Sequence, residues 1–235
     1  MPVDLTWGAA TATGQREDNQ DRYLARPPVF AVADGMGGHA GGAAAAERVI
    51  EALTSLTGGE TTTVNAIRLA LQRADGEIRA FTGEAAGGAG STVAGVALVD
   101  EGEGPQWAVF HVGDSRVYRW HEGRLEQLTT DHSVVQELID AGYISDETAA
   151  THPQRHIITR ALGVGPRNEP DIRLLPVVGS GYFLACSDGL TNEVSSSRIA
   201  EFLTTNDGPD TIVSDLVAEA SAAGARDNVT VVAVR

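Results

Sequence analysis

The 235-residue chain contains no lysine; its 17 basic residues are all arginine. That excludes Schiff-base chemistry, a lysine anchor for pyridoxal phosphate, and the nucleotide-binding loop that ends in Gly-Lys-Ser/Thr. Cysteine occurs once, at Cys186, so an internal disulfide and a thiolate zinc site are excluded too. Inside the apolar run Tyr182–Cys186 it reads as a small core residue. No apolar stretch approaches the ~20 residues that cross a bilayer. The start, Met1–Trp7, lacks the basic and apolar segments of a signal peptide. The expectation is a cytoplasmic protein with no membrane segment. Positive charge is scarce: 17 basic against 32 acidic residues leaves −15. Such a chain repels phosphate polymers, so nucleic acid and anionic membrane are poor partners.

What is present is a patterned globular sequence with 42% hydrophobic residues, enough to bury a core. There is no repeat, no long Pro/Ser linker and no block of like charge, so residues 1–235 read as a single domain. Leu5–Thr13 and Val29–Ala33 read as strands, the second apolar throughout and therefore buried on both faces. Ala43–Leu56 and Val64–Phe81 carry apolar residues at helical spacing. Strands follow at Ser91–Val99, Gln106–Val112, Val117–Trp120 and Leu125–Leu128, with a hairpin turn at His121-Glu122-Gly123-Arg124. Ser133–Ala141 reads as a helix ended by Gly142. The polar stretch from Gly142 to Arg155 (about 142–155) reads as a surface flap. A short helix is expected near Ile157–Leu162. Then come strands at Ile172–Pro176 and Tyr182–Cys186, helices at Ser196–Leu203 and Thr211–Ala223, and a last strand at Val229–Val234. Strands in runs and helices in pairs disfavour βαβ alternation. They suit an α+β sandwich with antiparallel sheets inside and helix pairs outside.

The informative acids stand at the ends of apolar runs. Asp34 follows Val29–Ala33 and precedes Gly35. Asp188 follows Tyr182–Cys186 and precedes Gly189. Asp227 precedes the final strand, and Asp21 closes the polar run from Arg16. A carboxylate in such a place must be hydrated, hydrogen-bonded or metal-bound. Several aspartates without Lys or Cys suit a hard cation with oxygen ligands, Mg²⁺ or Mn²⁺. A single Asp-Gly pair is more often an ordinary turn; the joint pattern carries the argument.

That pattern resembles the metal-dependent serine/threonine protein phosphatases of type 2C, in their bacterial form. The matching pieces run in order along essentially the whole chain, about Thr6 to Val234. They are Arg16-x-x-Asn19-Gln20-Asp21, Val32-Ala33-Asp34-Gly35-Met36-Gly37-Gly38-His39, Gly90-Ser91-Thr92, and His111-Val112-Gly113-Asp114-Ser115-Arg116. Then follow Leu128-Thr129-x-Asp131-His132-Ser133, His152-Pro153-x-Arg155, Thr159-Arg160-Ala161-Leu162-Gly163, Ser187-Asp188-Gly189-Leu190 and Arg226-Asp227-Asn228-Val229-Thr230. Each is weak alone; together, in order, they are specific.

The resemblance implies a four-layer αββα sandwich, two central antiparallel β-sheets flanked by helix pairs. It implies two Mn²⁺ or Mg²⁺ ions, with Asp34 as bridging ligand, the Gly35 carbonyl as a ligand of one ion, and Asp188 and Asp227 on the first ion. Asp21 would act directly or through water, and Asp131 with Asp188 would hold a third ion. The implied reaction is in-line attack on the phosphorus of phosphoserine or phosphothreonine by a water or hydroxide bridging two ions. Arg16 would clamp the phosphate. Eukaryotic relatives carry His directly after the Asp-Gly pair, where this chain has Met36, which has no proton to give. His39 and a bound water are the alternatives for that role. Gln20 stands where many relatives carry Glu. Asp114 and Arg116 read as residues that hold a turn. The implied partners are phosphorylated proteins, a Ser/Thr protein kinase and its substrates, met by a monomer. A phosphoprotein-binding module without turnover and a partner-switching regulator phosphatase are the rival readings. The first would need a degraded aspartate set, and the second usually carries sensor domains.

Overall fold

The computed structural model describes residues 3–37, 40–82, 88–166, 168–177, 181–205 and 208–235. In chain order the elements are β1 (Trp7–Ala12), β2 (Asp21–Arg26), β3 (Val29–Met36), α1 (Ala40–Thr54), α2 (Val64–Thr82), β4 (Gly90–Ser91) and β5 (Val93–Asp100). They continue with β6 (Pro105–Val112), β7 (Arg116–His121), β8 (Arg124–Gln127), α3 (Val134–Asp140), α4 (Asp146–Ala149) and β9 (Asp171–Pro176). The last are β10 (Gly181–Cys186), α5 (Asp188–Thr191), α6 (Ser196–Thr204), α7 (Pro209–Ala223) and β11 (Val229–Val234).

Two sheets form from these strands. One runs β1-β11-β10-β7-β8; the other runs β2-β3-β5-β6-β9, with β4 on β3. Every strand ladder is antiparallel. The alternation of side chains along each strand explains the layers. On β3, Val29, Ala31 and Ala33 pack towards α1 and α2 with Val49, Leu53, Ile67 and Leu71. The intervening Phe30 and Val32 meet Phe183, Ala185, Val232 and Val234 from the other sheet. On β11, Val229, Val231 and Ala233 face α6 and α7 with Ile199, Leu203, Ile212 and Leu216. Both faces of the central strands are dry, which is why their sequences are unbroken apolar runs. The result is the expected α+β sandwich of four layers, with Cys186 buried in the core.

Local chemistry sets the helix ends. The Ser195 hydroxyl accepts from Arg198 N at the start of α6, and Ser133 caps α3 through Gln136 N. α7 starts with Pro209 in its first turn and ends on Gly224 at φ 119°, a left-handed stop that favours glycine. Glu122 (φ 50°) and Gly123 (φ 76°) make the two-residue turn that joins β7 to β8.

Four elements differ from expectation, one being the one-turn helix α5, which was not anticipated. β2 was not anticipated: Asp-Arg-Tyr-Leu-Ala-Arg lies on an edge, and its charged residues mask the alternation. Ile157–Leu162 is not a helix. Its backbone is taken by neighbours: Val134 N donates to the Ile157 carbonyl, Thr159 N to the His132 carbonyl, and Leu162 N to the Ser91 carbonyl. The flap is not wholly irregular, since Ser145 caps the one-turn helix α4 through Thr148 N. No helix among the described residues is long and apolar enough to cross a membrane.

Candidate metal centre

The β2–β3 register places Asp21 opposite Asp34. Paired residues in an antiparallel ladder project to the same face. On β3 that face also carries Phe30 and Val32, the layer between the sheets, so both carboxyl groups continue the inter-sheet core to its end. From the other sheet, Ser187 follows β10 and donates to Asp21 Oδ2 at 2.8 Å, which brings Asp188 alongside. Thr92 Oγ1 lies 3.2 Å from Asp34 N and 2.7 Å from Ser115 Oγ, so β4 and the β6–β7 turn are tied to the same point.

A cleft of about 1020 Å³ opens here, lined by Asp34, Gly35, Asp114, Asp188, Asp227 and Arg16 among others. Asp21 lies behind this lining, 4% exposed. The carboxylates are too close for comfort. Burial first, then Asp21, Asp188, Asp114 and Asp227, hold the Asp34 carboxyl well above the usual carboxylate range. Burial pushes Asp21 to about 6 against the hydrogen bonds of Ser187 and Thr230. Burial, Asp188 and Asp131 push Asp114 to about 7. Burial and Asp227 raise Asp188 against the hydrogen bond from Asn192. Asp21 Oδ1 and Asp188 Oδ1 are buried with no hydrogen-bond partner among the described residues. Orphaned buried oxygens in a crowd of like charge are what a divalent cation would satisfy. The backbone is shaped for close approach as well. A Cβ on Gly35 would lie 2.1 Å from the Gly42 carbonyl oxygen, and one on Gly189 would lie 2.0 Å from that of Asn228.

Two anticipated residues are engaged otherwise. Arg16 forks onto Asp227, with Nε 2.9 Å from Oδ1 and Nη2 2.7 Å from Oδ2. Asp131 is not in the cleft lining; Arg116 grips it through Nε and Nη2, the shortest contact being 2.6 Å. His39 lies outside the described residues. Asp114, expected only to hold a turn, lies in the cleft beside Asp188, and Arg116 does the holding. Sequence reasoning could have found Asp114: β6 is an apolar run that ends in Gly113-Asp114, the same kind of strand-end aspartate as Asp34. His156, from the segment after α4, also lines the cleft and was not singled out, because nothing in its neighbours marks it.

A second group of potential ligands, His111, His132 and Asp171, lies away from this lining. Arg160 already occupies it, with Nη1 2.7 Å from His132 Nε2 and 2.9 Å from Asp171 Oδ1. Its visible work is structural: Gly113 N donates to His132 Nδ1 at 3.0 Å, which fixes the turn that presents Asp114.

A profile of the family described as protein phosphatase 2C matches residues 11–207. The chain belongs to that family. The phosphatase is 34% identical over 228 residues to the serine/threonine phosphatase stp of Listeria monocytogenes, covering 94% of this chain and 86% of the relative. It superposes on the Ser-Thr phosphatase MsPP of Mycobacterium smegmatis, solved with cacodylate, with a TM-score of 0.87 and 36% identity over 97% of each chain. The catalytic domain of the phosphatase PstP, solved with two manganese ions, gives 0.85 and 32% identity, covering 98% of this chain and 97% of that one.

Proposed function

We propose that this protein phosphatase hydrolyses phosphoserine and phosphothreonine in proteins, with Mn²⁺ or Mg²⁺ held in the aspartate cleft. The observation that carries the reading is the convergence of Asp34, Asp114, Asp188 and Asp227 on one cleft, over buried Asp21, with carboxylate oxygens left unpartnered. Asp34, Asp188, Asp227 and the Gly35 carbonyl would hold two ions, the Gly35 carbonyl serving one of them, with Asp21 acting from behind. A third ion would sit by Asp188 and Asp114, since Arg116 already neutralises Asp131. The ions, when bound, supply a water nucleophile at neutral pH and offset the charge of the phosphate.

The chain's own residues do the rest. Arg16 presents a planar fork that matches two phosphate oxygens. Asp227 holds that fork in place until a phosphate competes for it. Glu193 pins Arg226 at the rim, with Nε 2.9 Å from Oε1. Ser187 and Asn192 each satisfy one carboxylate oxygen and thereby orient the other. The substrates are phosphorylated proteins in the cytoplasm, a Ser/Thr kinase and its targets among them, and the phosphatase works as a monomer.

The test is hydrolysis of p-nitrophenyl phosphate and of phosphoserine and phosphothreonine peptides, with and without Mn²⁺. Activity that needs the ion and is lost in Asp188→Asn supports the reading. Metal-independent turnover, or full activity in Asp188→Asn, refutes it.

A further inference from the structure

In-line hydrolysis needs two things at opposite sides of the phosphorus: a nucleophile and help for the leaving oxygen. The aspartates that would hold the ions are half-buried, whereas Arg16, His156 and Arg226 at the rim are exposed, so the leaving seryl or threonyl oxygen would point outward, towards the rim. It departs as an alkoxide unless a proton reaches it as the P–O bond breaks. Met36, at the position following Asp34-Gly35, cannot supply one.

The rim groups differ in what they can donate. Arg16 and Arg226 hold their protons at neutral pH and are forked onto Asp227 and Glu193. Gln15 is spent on the Gly224 carbonyl, and amides do not transfer protons at useful rates. His156 is the imidazole lining the cleft among the described residues, and its ring has no hydrogen-bond partner among them.

The backbone on either side of it is well held. Arg155 N donates to the His152 carbonyl, Ile157 N to the Gln154 carbonyl, and Gln154 N to His152 Nδ1. Directly after it, Ile158 bridges to Ser133, and Val134 N donates to the Ile157 carbonyl. These bonds anchor it to the start of α3. A free ring on a fixed backbone at the mouth of the cleft suits a donor that must meet a large substrate.

We propose that His156 is a catalytic residue, donating the proton that the departing seryl or threonyl oxygen takes up as its bond to phosphorus breaks. The imidazole is then reprotonated from water, so no co-reactant is needed. The proposal rests on the phosphatase reading above.

The experiment compares leaving groups. p-Nitrophenol departs as a stable anion and needs little help; phenol and serine need more. Wild type, His156→Gln and His39→Ala are assayed with Mn²⁺ on p-nitrophenyl phosphate, phenyl phosphate and a phosphoserine peptide. Thermal unfolding and Mn²⁺ titration check that fold and ion binding are intact. In His156→Gln, kcat on the peptide is expected to fall about 100-fold, the contribution typical of a proton donor. The fall on p-nitrophenyl phosphate should be no more than about threefold, with phenyl phosphate between. Equal losses on all three esters, or no loss, would overturn the proposal, as would the graded pattern arising in His39→Ala instead. If wild type with Mn²⁺ turns over none of the three, the phosphatase reading itself fails.

Discussion

Replacing Asp114 by Asn should make the metal-free protein more stable, not less. Asp114 is half-buried beside Asp188 and Asp131, and its carboxyl is pushed from 3.8 to about 7. The folded protein therefore holds this proton more tightly than the unfolded chain does. Its contribution to stability is complete below the unfolded value and is lost as pH rises towards 7. At about 1.4 kcal/mol for each tenfold change in proton affinity, ionised Asp114 opposes folding by about 4 kcal/mol at about pH 8. Asn has the same shape without the charge, but its amide needs partners, so a gain of about 2–4 kcal/mol is expected. The assay is urea unfolding in a chelator, followed by the fluorescence of Trp7, Trp107 and Trp120, at about pH 8 and about pH 4.5. The gain should be large at the higher pH and mostly gone at the lower one. Excess Mn²⁺ should favour the wild type instead, because a ligand that binds only the native state stabilises it. An Asp114→Asn protein that is no more stable in chelator at about pH 8, or gains equally at both pH values, would refute the reasoning.

Further outcomes follow from the same contacts. Arg16→Ala should raise KM for a phosphopeptide by about 10- to 100-fold, the worth of charge-assisted hydrogen bonds. It should also tighten Mn²⁺ binding by up to about fivefold in calorimetric titration, since both oxygens of Asp227 lose their fork. Gly35→Ala should lower the urea midpoint by an amount corresponding to at least about 1–3 kcal/mol, because the new Cβ meets backbone that cannot swing away. Shortening the flap across residues 143–154 should reduce kcat/KM for a phosphoprotein more than for p-nitrophenyl phosphate; equal losses would remove any role for the flap in substrate access.

How far the sequence was legible varied by residue, for physical reasons. β3 and β10 were readable because both their faces are buried, which demands an unbroken apolar run, and Asp34 and Asp188 stand out at the ends of such runs. β2 was not, because an edge strand tolerates Arg22 and Arg26 in solvent, with Arg22 paired to Glu47 on α1. Ile157–Leu162 has helical spacing, yet its carbonyl and amide groups are claimed by His132, Val134 and Ser91 from distant parts of the chain. Local propensity loses to such pairing. The placement of Asp114 and Asp131 is of the same kind. Asp114 follows the apolar β6 and Asp131 the short polar β8, but sequence spacing does not tell which one Arg116 will reach. The fold decides: Arg116 begins β7 and forks onto Asp131, leaving Asp114 to face Asp188.

The site and the fold pull in opposite directions, and the charge of the chain shows how far. A net charge of −15 looks like a matter of solubility, but six aspartates, Asp21, Asp34, Asp114, Asp131, Asp188 and Asp227, are gathered at one end of the sandwich. Nothing within the apolar layers compensates them. The dry faces of β3, β10 and β11 hold the strand ends together regardless of what those ends carry, so the core fixes the spacing of carboxylates that would otherwise separate. Arg16 and Arg116 relieve only Asp227 and Asp131. Arginine suits this better than lysine, because each fork satisfies two oxygens of one carboxylate at once. Asp34, Asp114 and Asp188 keep no such partner, and burial together with the unrelieved repulsion raises their proton affinities. Two divalent cations would bring the charge from −15 to −11 and would place that gain where a phosphate must enter. The unpaired aspartates are thus the part of the acidic surplus that the core has set aside for cations, and the paired ones are the part it has already settled.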